Sequence, residues 1–424
     1  MKKAALHFGL LLWLWILMQG VAAFAQSPAA GAVLTLEQAL RVAYQRNPDM
    51  IEARKEIDAA KGRRIQAESL PNPSMEWNIG GLKKTTRNQK EVYNGNLDSF
   101  SVSQPFDPPG TRMLGALIAR DEVKISQSTL DLVWADVRKK IIGLYASILS
   151  LQKTEEIAHE NLSTTQQFFA RVQTRYQGGT ALRSDVLRSK IEVSRAENDT
   201  LVVQKDLKVA CGQFNLALGY PLESEVTLSD SLEYEALHYR YAQIKDAAIA
   251  ARSDIKIERT RLSSKKKTVW REILKTIFPQ FEVGLVRTTQ SFNNDTGVNL
   301  KMSYPLWGLN WGEVKEAKAM KEKQEVHLDT LKKRIGLEVY AAFLEVELSD
   351  KQVLIQKSSL EEANELLKQV TIKYEEGETP FLTFLENIKT IKETRVAYYE
   401  SLKNYKEKVA ELEQVIQAAP VPKV

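Results

Sequence analysis

The sequence has few of the residues from which enzymes build their sites. Of its 424 residues, only four are histidine and one is cysteine. His159, His238 and His327 are isolated and lack the spacing to cysteines or carboxylates that metal sites show. No glycine-rich phosphate loop is present either. We therefore predict no catalytic residues, no cofactor and no resident metal, and we do not expect an enzyme.

The single cysteine, Cys211, leaves the chain without an intramolecular disulfide. It lies in a helical pattern beside Val209 and Phe214, where a small packed side chain is expected. Beyond the N-terminal segment no run of 18 apolar residues occurs, so no transmembrane helix is predicted. A membrane role would have to come from strands, because only helices and closed barrels satisfy the backbone in lipid.

Residues 1–25 have the pattern of an export signal. Lys2 and Lys3 precede an apolar core at Leu10–Met18, and Ala23-Phe24-Ala25 is a small-residue cleavage site. An N-terminal anchor helix is the alternative. No cysteine directly follows the cleavage site, so attachment of a lipid to the new N-terminus is not predicted. The mature chain is expected to leave the cytoplasm.

Four segments, at residues 73–80, 99–106, 280–288 and 297–306, alternate apolar and polar residues with the period of a strand. A half-buried sheet over a soluble core would alternate in the same way. Aromatic residues near the strand ends and small polar residues on the opposite face favour a barrel wall. The residues then predicted to face the membrane are Met75, Trp77, Ile79, Phe100, Val102, Phe106, Phe281, Val283, Leu285, Val298, Leu300, Met302 and Tyr304.

Four strands are too few to close a barrel around a lumen, and open strand edges are not tolerated in lipid. If these strands enter a membrane, several copies of the chain must therefore share one barrel. The polar segment Leu82–Asp98, which joins the first two strands, is predicted to be an extracellular loop.

Two very long helices are predicted, one after Pro108-Pro109-Gly110 and one after Gly308. Each runs about 65 residues, or roughly 100 Å at 1.5 Å per residue, to a tip that contains glycine. A second helix returns from each tip. Apolar residues recur every seven positions, which indicates helices that supercoil against other helices. These positions are Trp134, Ile141, Ile148, Leu162, Phe169 and Tyr176, with Glu155 as the one break, and Val339, Val346, Val353, Leu360, Leu367 and Tyr374.

The chain repeats itself at an offset of 198 to 200 residues. Ser103-Gln104-Pro105-Phe106 returns as Ser303-Tyr304-Pro305-Leu306. The first tip, Arg175–Thr180, returns as Lys373–Thr379. Each copy has two strands and two long helices, which predicts a mainly helical fold with a small strand part and an internal two-fold repeat. The predicted repeats are residues 26–220 and 221–424.

In order and spacing these pieces resemble the TolC family of outer-membrane efflux proteins over nearly the whole mature chain. The matching pieces are Leu36-Glu37-Gln38-Ala39-Leu40, Asn47-Pro48, Pro71-Asn72-Pro73, Ser101–Phe106, the two Tyr-x-x-Gly tips and Asp185-Val186-Leu187. The resemblance implies a homotrimer with a shared twelve-stranded barrel in the outer membrane of a Gram-negative bacterium. It also implies a periplasmic tunnel of twelve helices that meets an adaptor, the membrane fusion protein, and an inner-membrane transporter. The channel itself would be a passive conduit.

Within that family, Leu70-Pro71-Asn72-Pro73, Gln104-Pro105-Phe106 and Gly110-Thr111-Arg112 are similar to the CzcC-like heavy-metal branch. The segment Asp107–Arg112 departs from the Gly-Gly-Lys-Arg often seen there. The resemblance implies efflux of heavy-metal cations with an RND-type pump, and it leaves drug efflux and type I protein secretion open. A periplasmic structural coiled coil without a barrel is a further alternative.

The two tips are the predicted functional sites. Glu375, Glu376 and Glu378 place three carboxylates on the second tip, and like charges at a constriction attract cations and can hold a gate. A solvated helix end is the alternative. Leu187 and Leu385 could serve docking or pack the hairpins. The residues implied for adaptor docking are Arg175, Tyr176, Gly178, Gly179, Thr180, Ser184, Asp185, Leu187, Tyr374, Gly377, Thr379 and Leu385.

Overall fold

The computed structural model divides the chain into two compact units, and each unit is assembled from three separate segments. Both units draw on both predicted repeats. The predicted export signal lies outside the described residues. Those residues are 32–79, 83–87, 90–94, 97–236, 241–290, 293–307, 309–376 and 378–417. Unit 1 comprises Met1–Asn47, Lys140–Tyr234 and Val353–Asn404, and unit 2 comprises Pro48–Lys139, Glu235–Gln352 and Tyr405–Val424.

Helices make up most of the described chain. They are α1 Leu36–Arg46, α2 Pro48–Glu68, α3 Thr111–Gln177, α4 Arg183–Leu218, α5 Tyr241–Ala251, α6 Ser253–Ile277, α7 Trp311–Glu375 and α8 Phe381–Ile416. The predicted length of the two longest is confirmed, since α3 has 67 residues and α7 has 65. No helix in the described part of the chain has the length and hydropathy of a membrane span.

One predicted helix is broken by a single residue. A capping-box spacing of Thr35 and Gln38 predicts a helix that runs from there to about Ser69. In the structure this helix ends at Arg46, and α2 begins at Pro48. The prediction was wrong because a proline disfavours helical conformation in the residue before it. Asn47 has ψ 132°, and its side-chain amide donates to the Ala217 carbonyl at 2.7 Å. The sequence also predicts a counterpart helix in the second half, from about Leu237 to about Thr276, and this one is likewise divided, into α5 and α6.

Eight strands lie in the described ranges, twice the number predicted. They are β1 Ala32–Leu34, β2 Ser74–Ile79, β3 Lys83–Arg87, β4 Lys90–Asn94, β5 Leu97–Phe106, β6 Val226–Leu228, β7 Gln280–Gln290 and β8 Asn293–Ser303. The predicted four form one antiparallel sheet in the order β2-β5-β7-β8. β1 pairs with β6, and the hairpin β3–β4 lies in the segment expected to be a loop. These extra strands have three to five residues, too few for alternation to identify them.

The seven-residue seams of the long helices supply much of the buried core. In unit 1, Ile141 and Val353 are fully buried. In unit 2, the seam residues Trp134 and Val339 are also buried. Tyr176, the last seam position of α3, departs from the pattern because 43% of its surface is exposed. Leu162, Phe169, Leu360 and Leu367, the seam positions nearer the tips, are half-buried, so the predicted seams are fully covered only over part of their length.

Candidate functional sites: the hairpin tips and the four-stranded sheet

The first tip is the reversal between α3 and α4 in unit 1. The Gly178 amide donates to the Thr174 carbonyl at 3.0 Å. The Gly179 amide donates to the Tyr176 carbonyl, also at 3.0 Å, so the backbone terminates its own helix. Gly179 has φ +73°, a conformation that a side chain disfavours. Glycine at this second position is what allows the chain to turn back.

The first-tip residues predicted for adaptor docking are mostly in contact with solvent. Those exposed are Arg175, Tyr176, Gly178, Gly179, Thr180, Ser184 and Leu187. Asp185 is half-buried near the start of α4, where its carboxylate accepts a hydrogen bond of 3.4 Å from the Leu182 amide. Leu187 is 54% exposed, so packing within its own hairpin does not account for it.

The second tip, between α7 and α8, carries the acidic residues. The Glu376 amide donates to the Ile372 carbonyl at 2.9 Å, and the Glu378 amide donates to the Lys373 carbonyl at 2.8 Å. The side chains of both glutamates are exposed. Gly377 and the side chain of Glu375 lie outside the described part of the tip. Two of the three predicted carboxylates are thus placed in solvent at the reversal, while Thr379 and Leu385 are half-buried.

An aromatic cluster that the sequence analysis did not single out holds the tips together. Phe168 of α3, Tyr374 of α7 and Phe384 of α8 are each at most 5% exposed. The ring centroids of Tyr374 and Phe384 are 4.4 Å apart. The ring centroid of Phe168 lies 5.1 Å from that of Tyr374 and 5.3 Å from that of Phe384. Aromatic pairs attract one another at these separations. Val172 and Val370 complete the buried set, so three helices are locked together where the tips begin.

Tyr374 connects this cluster to the first tip. The guanidinium carbon of Arg175 lies 5.6 Å from the centroid of the Tyr374 ring, within the range of a cation–π contact. Burial raises the pKa of the Tyr374 hydroxyl, although the positive charges of Arg175 and Arg171 act in the opposite direction. Tyr374 was predicted as a docking residue, but only 5% of its surface is exposed. It therefore acts within the tip by packing.

Two signals could have revealed the cluster in advance. Phe168 and Val172 are four residues apart on α3, and Val370 and Tyr374 are four apart on α7, which places each pair on one helix face. Phe384 stands where the first half has Val186, and Val186 packs against the same cluster. The spacing of the apolar residues before and after the tips therefore predicts this cluster, whereas the tip residues themselves do not.

In unit 2, the residues predicted to face a membrane share one face of the sheet, except Tyr304, which follows the end of β8. The strand register aligns Met75, Val102, Leu285 and Val298 in a single row. Val102 and Tyr304 are half-buried. The others have exposed fractions of 37–75%, and they are Met75, Trp77, Ile79, Phe100, Phe106, Phe281, Val283, Leu285, Val298, Leu300 and Met302.

Aromatic residues bound this apolar face at both ends. Phe106 pairs with Phe281 at the base of the sheet. Trp77 pairs with Phe100, six residues along β5 from Phe106. Six residues of antiparallel strand span about 20 Å. The apolar band of outer-membrane barrels, flanked by aromatic girdles, is about 25 Å tall.

The opposite face of the sheet is polar. The hydroxyl oxygens of Ser74 and Ser103 are 2.8 Å apart, and the Ser103 hydroxyl also donates to the Glu282 carboxylate. The Lys301 ammonium lies 3.5 Å from the same carboxylate. Among the described residues, none of the buried apolar core lies on β2, β5, β7 or β8. A sheet that covers a soluble core, the alternative considered above, would have one buried apolar face.

A mainly helical chain with long hairpins and a small sheet exposed on its apolar face defines the class of TolC-like channels. The model of the family described as outer membrane efflux protein matches residues 39–220 and 271–417. This chain therefore belongs to the outer membrane efflux protein family, and the predicted resemblance is confirmed.

Two curated proteins and one solved structure illustrate the relationship. The chain is 22% identical over 377 residues to the cobalt-zinc-cadmium resistance protein CzcC of Cupriavidus metallidurans, with 87% of this chain and 86% of CzcC covered. It is 24% identical over 327 residues to the pyoverdine export outer membrane protein OpmQ of Pseudomonas aeruginosa, with coverage of 70% and 65%. The CmeC outer membrane channel of Campylobacter jejuni superposes with a TM-score of 0.75 at 12% identity, over 94% of this chain and 90% of CmeC.

Proposed function

We propose that three copies of this protein form the outer-membrane channel of a tripartite efflux system, a passive conduit from the periplasm to the exterior. The observation that carries the proposal is the four-stranded sheet. Its apolar face is exposed between two aromatic rows, and its other face carries serines and the Glu282–Lys301 ion pair. One face suits lipid and the other a wet lumen. The free edges of β2 and β8 require further strands, and three chains supply twelve.

The helix bounds support an internal repeat. The ends of α3 and α7 lie 198 residues apart, and α4 and α8 begin and end at this same offset. Within unit 1, Ile157 and Ile355 are equivalent at this offset. Ile157 is 3% exposed, whereas Ile355 is 63% exposed. A surface that is covered in the first copy is bare in the second, and a neighbouring chain would cover it in a ring with pseudo-sixfold symmetry.

The assembly can be tested by expressing the full chain, including the predicted export signal, and separating the membranes of the cell envelope. We expect a trimer in the outer-membrane fraction that resists SDS until it is heated. A monomer or coiled-coil oligomer in the soluble periplasmic fraction would refute the barrel and favour the periplasmic structural alternative. The purified trimer should also make the membranes of phospholipid vesicles permeable to ions.

We propose heavy-metal cations as the cargo and an RND-type transporter with its adaptor as the partners. The support is the alignment with CzcC along most of both chains. Export of a small organic molecule is the second candidate, favoured by the similarity to OpmQ. A strain that lacks this gene, compared with the same strain complemented with it, decides between them. Resistance to zinc, cobalt or cadmium that is lost on deletion and restored by complementation supports metal efflux, whereas sensitivity confined to drugs, or loss of an exported compound, rejects it.

We propose that Glu375, Glu376 and Glu378 act at a periplasmic gate. Glu376 and Glu378 are exposed at the reversal, and three chains would bring nine carboxylates together. Replacing all three with glutamine should change single-channel conductance and lower cation preference in planar bilayers, because the ring loses its negative charge. Unchanged conductance and selectivity would leave the solvated helix end as the explanation.

The exposed residues of the first tip, with Thr379 and Leu385 of the second, are the proposed adaptor contacts. Gly377 is kept in this set although it lies outside the described residues. Leu187 supports the assignment, since it is an apolar side chain left 54% exposed beside a polar turn. A cysteine introduced by Leu187→Cys should crosslink to the adaptor, and this crosslink should be lost when the first tip is disrupted by Gly179→Val. Normal export with a disrupted tip would reject docking there.

A further inference from the structure

We infer that one face of α6 is an interfacial anchor that binds the anionic headgroups of phospholipids beside the base of the sheet. The inference rests on the proposed insertion of the sheet into a membrane. Arg259, Lys266, Trp270 and Ile277 follow one another at intervals of seven, four and seven residues, which places them on one face of the helix. All four are exposed, with Trp270 at 61% and Ile277 at 56%.

Four of the six cations of α6 that lie outside this face form ion pairs within the structure. Lys267 binds Asp121, and Lys275 lies 3.1 Å from Glu272. Arg259 and Lys266 form no ion pair with any residue that the structure describes, so their charge is available to a partner. A positive face that also exposes a tryptophan and an isoleucine suits a lipid surface better than water.

The order of residues along α6 matches the order of layers in a membrane. Ile277 is followed by Phe278, 39% exposed, and then by β7 with Phe281 in the lower aromatic row. Trp270 lies about 10 Å back along the helix from Ile277, and Lys266 about 6 Å further. Apolar side chains are thus nearest to the sheet, the indole comes next and the ammonium last. Tryptophan at the headgroup level and lysine extended toward it are typical of interfaces.

The first half of the chain lacks this face. α2 ends just before Pro71 as α6 ends just before Pro279, and in that alignment Gly62 occupies the position of Trp270. A side-chain carbon added to Gly62 would meet no atom within 4 Å, so the space for a larger residue exists there. Asp58 stands where α6 has Lys266, and it pairs with Lys61 at 3.1 Å. The fold itself therefore does not require an exposed tryptophan and lysine at these positions.

The test uses the full trimer in bilayers of equal phosphatidylglycerol and phosphatidylcholine, in which only one of the two lipids carries bromine. The Trp270 signal is the emission of the wild type minus that of Trp270→Phe. We expect brominated phosphatidylglycerol to be enriched about fivefold at Trp270, the effect of one lysine at an anionic surface. Lys266→Gln should remove this preference. Lys265→Gln is the matched control, an exposed lysine next to Lys266 in sequence that lies about 100° around the helix and outside this face, and it should leave the preference intact.

Each outcome bears on a distinct step. Equal quenching by both lipids, or a preference that survives Lys266→Gln, would overturn binding of anionic headgroups. The Trp77 signal is obtained in the same way, as the emission of the wild type minus that of Trp77→Phe. If the bromine quenches the Trp77 signal but not the Trp270 signal, the anchor is overturned and the barrel still stands. If neither tryptophan is quenched, the sheet is not in the membrane and the proposed channel itself fails.

Discussion

Replacing Phe384 with alanine should loosen the hairpin tips without unfolding the rest of the protein. Phe384 is 5% exposed, and its ring lies 4.4 Å from that of Tyr374 and 5.3 Å from that of Phe168. Truncation of a buried phenylalanine costs about 3–5 kcal/mol. The two ring contacts account for about 0.5–1.5 kcal/mol each within that total. Only partly buried residues surround the cluster, so little core is available to refill the space.

Native-state hydrogen exchange on the assembled protein measures this loss locally. The amides of Glu376, Glu378 and Phe384 donate within the second tip and the start of α8, so their exchange reports opening of the tip. A loss of about 3–5 kcal/mol should speed their exchange by roughly two to four powers of ten. Leu187→Ala is the control in the same unit, because its side chain is 54% exposed and surface truncation changes stability by about 0.5 kcal/mol or less.

Two results would refute this reasoning. Exchange at these three amides that rises less than tenfold in Phe384→Ala would mean that the aromatic cluster does not hold the tips. An equal rise in Leu187→Ala would mean that any truncation near the reversal has the same effect. Amides in the four-stranded sheet serve as the internal reference and should keep their protection in both variants.

Three further changes test other parts of the structure. Gly179→Val should disrupt the reversal and abolish export while trimers persist, because φ at Gly179 is +73°, whereas Gly178→Ala should be tolerated; equal export by both variants would contradict this. Leu285→Lys should make the free energy of membrane assembly less favourable by about 2–4 kcal/mol if Leu285 faces lipid, whereas Ser101→Lys on the opposite face should still assemble. The amount of folded trimer on unheated gels is the measurement. Burial raises the pKa of the Cys211 thiol, so its alkylation at pH 8 should be slower than that of free cysteine and speed up in denaturant; equal rates would disprove the burial.

Repeating patterns made the large elements predictable. The lengths of α3 and α7, the four strands of the main sheet and the first glycine turn follow from periods of seven and two and from the left-handed conformation that glycine permits at the turn. The break at Asn47 was also encoded locally, since a proline follows it. It was overlooked because the apolar pattern continues across the break. The short pairs β1–β6 and β3–β4 carry too few residues for a period to emerge.

The candidate sites were predictable to different degrees. Gly178 and Gly179 marked the first reversal directly, and the alternation of β2, β5, β7 and β8 identified the apolar face of the sheet. Tyr374 was assigned to docking because it lies next to a tip, yet it is buried. Whether an aromatic residue near a helix end is buried or exposed depends on how the helices pack. Proximity to the tip in sequence was therefore a poor guide to the role of Tyr374.

The sequence by itself determined the kind of element at each place, because helix, strand and turn depend on neighbours within a few residues. It also determined that one side of each long strand is apolar. The tertiary structure alone decided that Phe168, Tyr374 and Phe384 meet, since three separate helices must pack before their rings come within 5.3 Å. It alone showed that the apolar side of the sheet is left uncovered within one chain, because burial depends on every other element of the fold.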